Sequence, residues 1–168
     1  MRWTSALLSL AASATAWAAS SKSATFANVT VFDPPSNYTI PRTLYARTLL
    51  LNQDHEKNNV LLATWENYLP NNDSDPYFPI YQSFDGGHSW SERSRVYDQA
   101  NGWGLRYQPF LYELAQPIGQ FCAGDILLAG NSIPNDLSQT QIDLYVSKDK
   151  GYVSTVPLFC TDSSLTQG

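Results

Sequence analysis

Basic side chains are scarce in this chain: ten Lys and Arg stand against fifteen Asp and Glu in 168 residues, giving a net charge of −5. None of them cluster, so no stripe exists to neutralise a phosphate backbone, and nucleic acid is excluded as a partner. Histidine is limited to His55 and His88, and cysteine to Cys122 and Cys160. No group of them has the spacing of a zinc site, and no metal or cofactor is expected. Both histidines sit in polar, turn-like stretches and read as solvated surface. Beyond the first residues no apolar run approaches the roughly 20 residues that cross a bilayer, so no membrane partner is expected either. Helical periodicity is also missing after the leader, which leaves an all-β chain.

The leader itself is legible. Met1-Arg2 supplies a positive start, Trp3 to Ala14 is uncharged and rich in Ala, Leu and Ser, and Ala16-Trp17-Ala18 is a small-x-small cleavage pattern. Residues 1–18 are therefore expected to be a secretory signal peptide, and the mature product to be extracellular. Three N-x-S/T sequons, at Asn28, Asn37 and Asn72, fit that route and predict exposed, glycosylated positions. The compartment permits a disulfide between Cys122 and Cys160, but geometry decides it and sequence does not. Aromatics reach 13%. Flat rings suit both strand cores and sugar faces, so composition alone does not choose between them.

Short strand patterns fill the mature region. Ala27 to Phe32 alternates weakly, and Asp33-Pro34-Pro35 breaks it. Thr43–Leu51, Val60–Trp65, Ile80–Ser83 and Ser94–Tyr97 then read as one four-stranded meander. The pattern starts again with Pro109–Leu114, Ile126–Ala129 and Ile142–Ser147. VLLA at 60 recurs as ILLA at 126, 66 residues on, and the serine-x-aspartate turn at Ser83 recurs at Ser147, 64 residues on. Four-strand repeats of this size are the mark of propeller blades, which cannot bury their faces singly. The expected division is an N-terminal segment at 19–40, a first blade at 41–100, an incomplete second blade at 101–152 and a divergent tail at 153–168.

Ser83-Phe84-Asp85-Gly86-Gly87-His88-Ser89-Trp90 fits the Asp-box pattern S/T-x-D-x-G-x-S/T-W at every fixed position. Asp85 can accept amides of its own turn, Gly87 can take a positive φ, and Trp90 can fold back over the turn, with Ser83 and Ser89 supplying hydroxyls. The motif is a structural clip between the third and fourth strands. A second copy begins at Ser147, Asp149 and Gly151 but has Val153 and Ser154 where the hydroxyl residue and tryptophan belong. Decay of one repeat would explain this. The favoured expectation is intron read-through over 153–168, because GTN-AGT encodes Val-Ser and resembles a 5′ splice site.

The stretches TLYARTLLL, LLATWENYLP, FPIYQSFDGGHSWS, NGWGLRYQPFLYEL, ILLAGNSIPNDLS and IDLYVSKDKG, between Pro41 and Tyr152, resemble the fungal exo-α-1,5-L-arabinanases of glycoside hydrolase family 93. The resemblance implies a secreted, sialidase-like six-bladed β-propeller, of which this chain holds about two blades of four-stranded antiparallel sheet. It implies retaining hydrolysis that releases arabinobiose from arabinan by two glutamates and no metal. Retention calls for two carboxyl groups roughly 5 Å apart. In the family both glutamates lie in later blades, the first after a W-E-P-F-L segment. The nearest counterpart here is Tyr107-Gln108-Pro109-Phe110-Leu111, where Gln108 stands in the place of the glutamate. No catalytic residue is therefore assigned, and the fragment is expected to be inactive alone.

Part of the substrate cleft is expected to be present. In a propeller the ligand face receives the start of each first strand and the end of each second strand, and the Asp-box turns lie on the opposite face. Arg47, Arg106, Tyr107 and Gln108 fall near strand starts, and Trp65, Glu66, Asn67, Tyr68 and Asn131 at second-strand ends. Arg and Asn can bond sugar hydroxyls, and Tyr and Trp can stack on rings. Each has a plainer reading: a paired structural arginine for Arg47, a solvated loop charge for Glu66, packing between blades for Trp65 and Tyr107. The expected partner is an arabinan-like polysaccharide, with a complete member monomeric and a two-blade piece prone to aggregate through bare faces and edges. Two other functions remain open. A sialidase reads its substrate with three arginines and an F/Y-R-I-P-like segment, and Tyr45-Ala46-Arg47-Thr48 lacks the Ile-Pro. A non-catalytic glycan-binding propeller would lack the paired glutamates altogether.

Overall fold

The structure, a computed structural model, describes residues 28–52, 60–70 and 75–152. The leader, Asn72, His55, Cys160 and the tail at 153–168 lie outside them. Seven strands are present among the described residues: β1 (Thr43–Leu50), β2 (Leu61–Asn67), β3 (Tyr77–Ser83), β4 (Ser91–Tyr97), β5 (Leu105–Glu113), β6 (Ile126–Ser132) and β7 (Gln141–Ser147). They form a four-stranded antiparallel sheet in the order β1-β2-β3-β4 and a three-stranded one in the order β5-β6-β7. These two meanders, one stacked on the other, are blades of a β-propeller. The weakly alternating segment expected as a strand near Phe32 is not one: residues 28–32 pair with no neighbour. Phe32 is held by its side chain instead, against Trp65 and Tyr81.

The core lies between the sheets. Leu62, Phe78, Ile80 and Val96 of the first blade pack on Leu105, Leu111, Ile126 and Leu128 of the second. β2 is buried on both faces, which suits the apolar Leu61-Leu62-Ala63 with which it opens, and its Thr64, Glu66 and Asn67 are buried polar residues. β5 instead alternates over its C-terminal half, with Pro109, Leu111 and Glu113 buried and Gln108, Phe110 and Tyr112 exposed. The second blade thus covers the first and leaves its far face bare. There Phe110, Ala129 and Leu144 form one cross-strand row, with Ile142 beside it. On the first blade's far face Phe32 stacks on Trp65 at 5.1 Å, and Tyr81 closes the cluster at 4.9 Å from Trp65.

Two close approaches fix the spacing. Gly130 of β6 faces the ring of Phe78 so tightly that a Cβ there would lie 2.2 Å from a ring carbon. Gly104 abuts Pro76 in the same way and has a φ of +99°. Asp98 organises the connection from β4 to β5. Its carboxylate accepts the amides of Ala100, Asn101, Trp103 and Gly104 at 2.9–3.2 Å and the hydroxyl of Ser132 at 2.5 Å. Burial raises its pKa, but the Ser132 hydroxyl and the amides outweigh that and hold it well below the usual carboxylate range. Cys122 is disulfide-bonded.

Candidate functional site

Antiparallel pairing separates the ends of the blades. The turn after β3, the turn after β7 and the start of β6 share one end. The end of β2, the start of β5 and the end of β6 share the other.

The turn end is tied by local bonds. The Ser83 hydroxyl donates to Asp85 at 2.7 Å and accepts the Gly87 amide at 2.8 Å. Asp85 also accepts the Ser89 amide at 2.9 Å and the Ser89 hydroxyl at 2.6 Å. The Ser89 and Ser83 donors hold the exposed Asp85 carboxyl well below its ordinary range. The Trp90 indole donates to the Gly87 carbonyl at 3.0 Å, closing the turn. Around Asp149 the pattern repeats: Ser147 donates to Asp149 at 2.7 Å, and the Gly151 amide donates back to Ser147 at 2.6 Å. This second turn docks on the first blade, where the Ser94 hydroxyl donates to the Gly151 carbonyl at 2.6 Å and Arg93 sits 3.8 Å over the Tyr152 ring.

The opposite end holds a cleft of about 320 Å³. Asn67, Tyr68, Arg106 and Tyr107 line it, joined by Thr39, Asn135 and the prolines Pro70 and Pro76. Arg106 is fixed by donating to the Ile133 carbonyl at 2.9 Å and to the Asn135 side chain. Thr39 is tied to the β2–β3 connection through its amide to the Tyr68 carbonyl at 3.0 Å and its hydroxyl to Leu69 at 2.9 Å. The rings of Tyr68 and Tyr107 lie 6.3 Å apart. Burial, and then the bond to Glu66, pushes the Tyr68 hydroxyl well above the ordinary tyrosine range, so it serves as a donor. The Asn67 side-chain oxygen is buried without a hydrogen-bond partner.

Four of the nine sequence candidates therefore meet at this cleft: Asn67, Tyr68, Arg106 and Tyr107. Gln108 is exposed beside them. Glu66 is not the solvated loop charge that was one reading of it. It lies on β2 and is 1% exposed, one carboxyl oxygen accepting the Gln108 amide at 2.8 Å and the other the Tyr68 hydroxyl at 2.8 Å. Trp65 faces away from the cleft, into the Phe32 and Tyr81 cluster. Arg47 is exposed on β1 and donates to the neighbouring Ala46 carbonyl. Asn131 pairs with Tyr107 across β5 and β6 but does not line the cleft. Sequence reasoning missed Thr39 and Asn135. Asn135 lies in the Ser-Ile-Pro-Asn loop after β6, where turn chemistry alone accounts for an asparagine. Among the described residues no group of three His, Cys, Asp or Glu side chains is placed to hold a metal.

Comparison with solved structures finds close likeness. A Penicillium chrysogenum α-L-arabinanase complexed with arabinobiose is 55% identical, with a TM-score of 0.72, over 77% of this chain and 35% of that one. A Fusarium graminearum α-L-arabinofuranosidase of the GH93 family, in complex with arabinobiose, is 51% identical with a TM-score of 0.72, over 77% of this chain and 34% of that one. An α-L-arabinofuranosidase from Fusarium graminearum bound to an iminosugar inhibitor is 51% identical over 78% of this chain and 35% of that one, with a TM-score of 0.72. No protein-family model matches the chain, and no curated protein does.

Proposed function

The chain belongs to glycoside hydrolase family 93 over the stretch it shares with these enzymes and spans about a third of their length, and on that premise we propose that it supplies the arabinan-binding part of a secreted exo-acting arabinanase. The single observation that carries this reading is the cleft at the ligand-facing end. Asn67 and Arg106 offer polar groups for furanose hydroxyls there, and Tyr68 and Tyr107 offer rings for its faces.

Glycoside cleavage with retention needs a nucleophile and an acid/base across the scissile bond. Glu66 lies on β2 beside this wall, and both its oxygens are already engaged by Gln108 and Tyr68. Asp85 and Asp149 are folding clips at the opposite end, and Asp98 is committed to backbone amides. These carboxyl groups hold the fold, and the cleft residues Asn67, Tyr68, Arg106 and Tyr107 are left to bind and orient the sugar. Hydrolysis requires carboxyl groups, and none of the described residues lining the cleft carries one.

Exposed Asn28 and Asn37 suit glycosylation during secretion behind the leader at 1–18. The whole propeller, with every blade face covered, would be monomeric. Isothermal titration of the chain with arabinobiose is expected to show saturable binding, and incubation with debranched arabinan to release no arabinobiose. Release of the disaccharide would overturn the assignment of the carboxyl groups. Absence of binding would overturn the cleft.

A further inference from the structure

Among the described residues Glu66 is the one fully buried acidic side chain at the cleft end, and the binding role above makes no use of it. Burying a carboxyl group is costly unless its oxygens are satisfied. Here they reach two partners on different elements: the backbone amide of Gln108 in the next blade and the hydroxyl of Tyr68 on its own. Gln108 has a φ of +57°, the left-handed region that a side chain resists. It sits in a β-bulge, where the β5–β6 register breaks between Tyr107 and Phe110. A bulge re-aims the side chains beside it. The first blade carries the same device. β1 breaks register between Leu44 and Arg47, and Tyr45, 63 residues before Gln108, has a φ of +48°.

We propose that Glu66 is a positioning residue that locks the β5 bulge and the Tyr68 ring together, so that Tyr68, Tyr107 and Gln108 meet the sugar in one fixed geometry. The lock spans two blades, because its donors come from β5 and from the residue just after β2. At 108 the left-handed backbone turns its amide onto one Glu66 oxygen, while the Tyr68 hydroxyl occupies the other. The inference rests on the arabinan-binding reading, and its test separates the two.

Glu66→Gln keeps an oxygen for the Gln108 amide, and Glu66→Ala removes it. Amide hydrogen exchange in the full chain reads the lock without any sugar. Exchange at Gln108 is expected to accelerate at least about tenfold in Glu66→Ala relative to the amides of Leu111 and Tyr112, which pair with β6 beyond the bulge, and to stay close to the parent in Glu66→Gln. Arabinobiose affinity is expected to fall roughly tenfold in Glu66→Ala and to recover in Glu66→Gln. Unchanged exchange at Gln108 overturns the lock. Faster exchange with unchanged affinity overturns its role in binding. A parent chain that binds no arabinobiose overturns the functional reading, and the exchange result alone then decides the lock. If Glu66→Ala does not fold, adding Gln108→Gly is expected to restore folding, since glycine takes a positive φ freely; failure of that rescue overturns the proposal.

Discussion

Replacing Gly130 by alanine tests the spacing of the two blades through a single methyl group. The added Cβ would lie 2.2 Å from one Phe78 ring carbon, 2.8 Å from a second and 3.3 Å from a third. Ordinary carbon contacts lie at about 3.5–4.0 Å, so the ring or the sheet must retreat by more than about 1 Å. Phe78 has no room to do so: it is 0% exposed within a core that includes Leu62, Ile80 and Leu105. Overpacking of this kind costs about 1–3 kcal/mol, and two short contacts place the expected cost near the upper figure. In a chain of this size that lowers the melting temperature by about 6–12 °C. The backbone does not confuse the sign. Gly130 is not among the glycines of positive φ, and alanine elsewhere in a strand is no worse than glycine. Thermal unfolding of Gly130→Ala, Phe78→Leu and the double variant reads the contact directly. The leucine makes room, so the alanine is expected to cost less than about 0.5 kcal/mol in that background. An alanine variant that melts with the parent, or that costs the same beside leucine, would refute the blade packing described here.

Asp98→Ala is expected to lose about 2–3 kcal/mol, because four amides and Ser132 forfeit their acceptor; Asp98→Asn should fall between it and the parent in urea unfolding. The pH profile should fall at both ends. Asp98 titrates below its unfolded value, so its contribution is present above about pH 4 and is lost as the pH falls further. Burial pushes Tyr77 up to about 12, so its contribution is complete below about pH 10 and is lost as the pH rises from there toward 12. Tyr77→Phe should flatten the alkaline limb, and an unchanged limb would show that another group controls it. Arg106→Ala is expected to weaken arabinobiose binding by about tenfold or more with little change in melting temperature, as seen by titration calorimetry.

Much of the architecture was legible because blades repeat. The recurrence of VLLA as ILLA and of the Ser-x-Asp turn placed the central strands and the turns, and both turns have the bonds that their residues imply. Strand starts were harder. β3 begins at Tyr77 rather than Ile80, with Pro79 inside it. Proline is tolerated there because pairing of β3 to β2 runs only from Tyr81 to Ser83, so no ladder bond on that side is missing. β5 begins at Leu105 rather than Pro109, and Pro109 falls within the register break. The bulges left no trace in the sequence, since Tyr45 and Gln108 take positive φ without glycine. Asp98 escaped notice for a different reason. Its amides are local, but Ser132, which completes its set, is 34 residues away.

The division between the two ends of the blades follows from what each end must satisfy. At the turn end the chain reverses tightly, and the side-chain bonds of each Ser-x-Asp turn close within that turn, as Ser83, Asp85 and Ser89 do, while contacts to the other blade such as Ser94 to Gly151 run through the backbone carbonyl. The serine and aspartate side chains of such a turn are spent on holding it. At the other end, bonds reach between blades: Glu66 to Gln108, and the Leu105 amide to the Pro76 carbonyl. Arg106 there is positioned by Ile133 beyond β6 and still lines the cleft, beside Asn67. A ligand that bridges two blades gains from that arrangement, because each blade contributes contacts that the other has already oriented. Substitutions at Ser83 or Asp85 should therefore change stability and leave arabinobiose affinity alone, whereas Glu66→Ala should change affinity by more than its effect on stability accounts for.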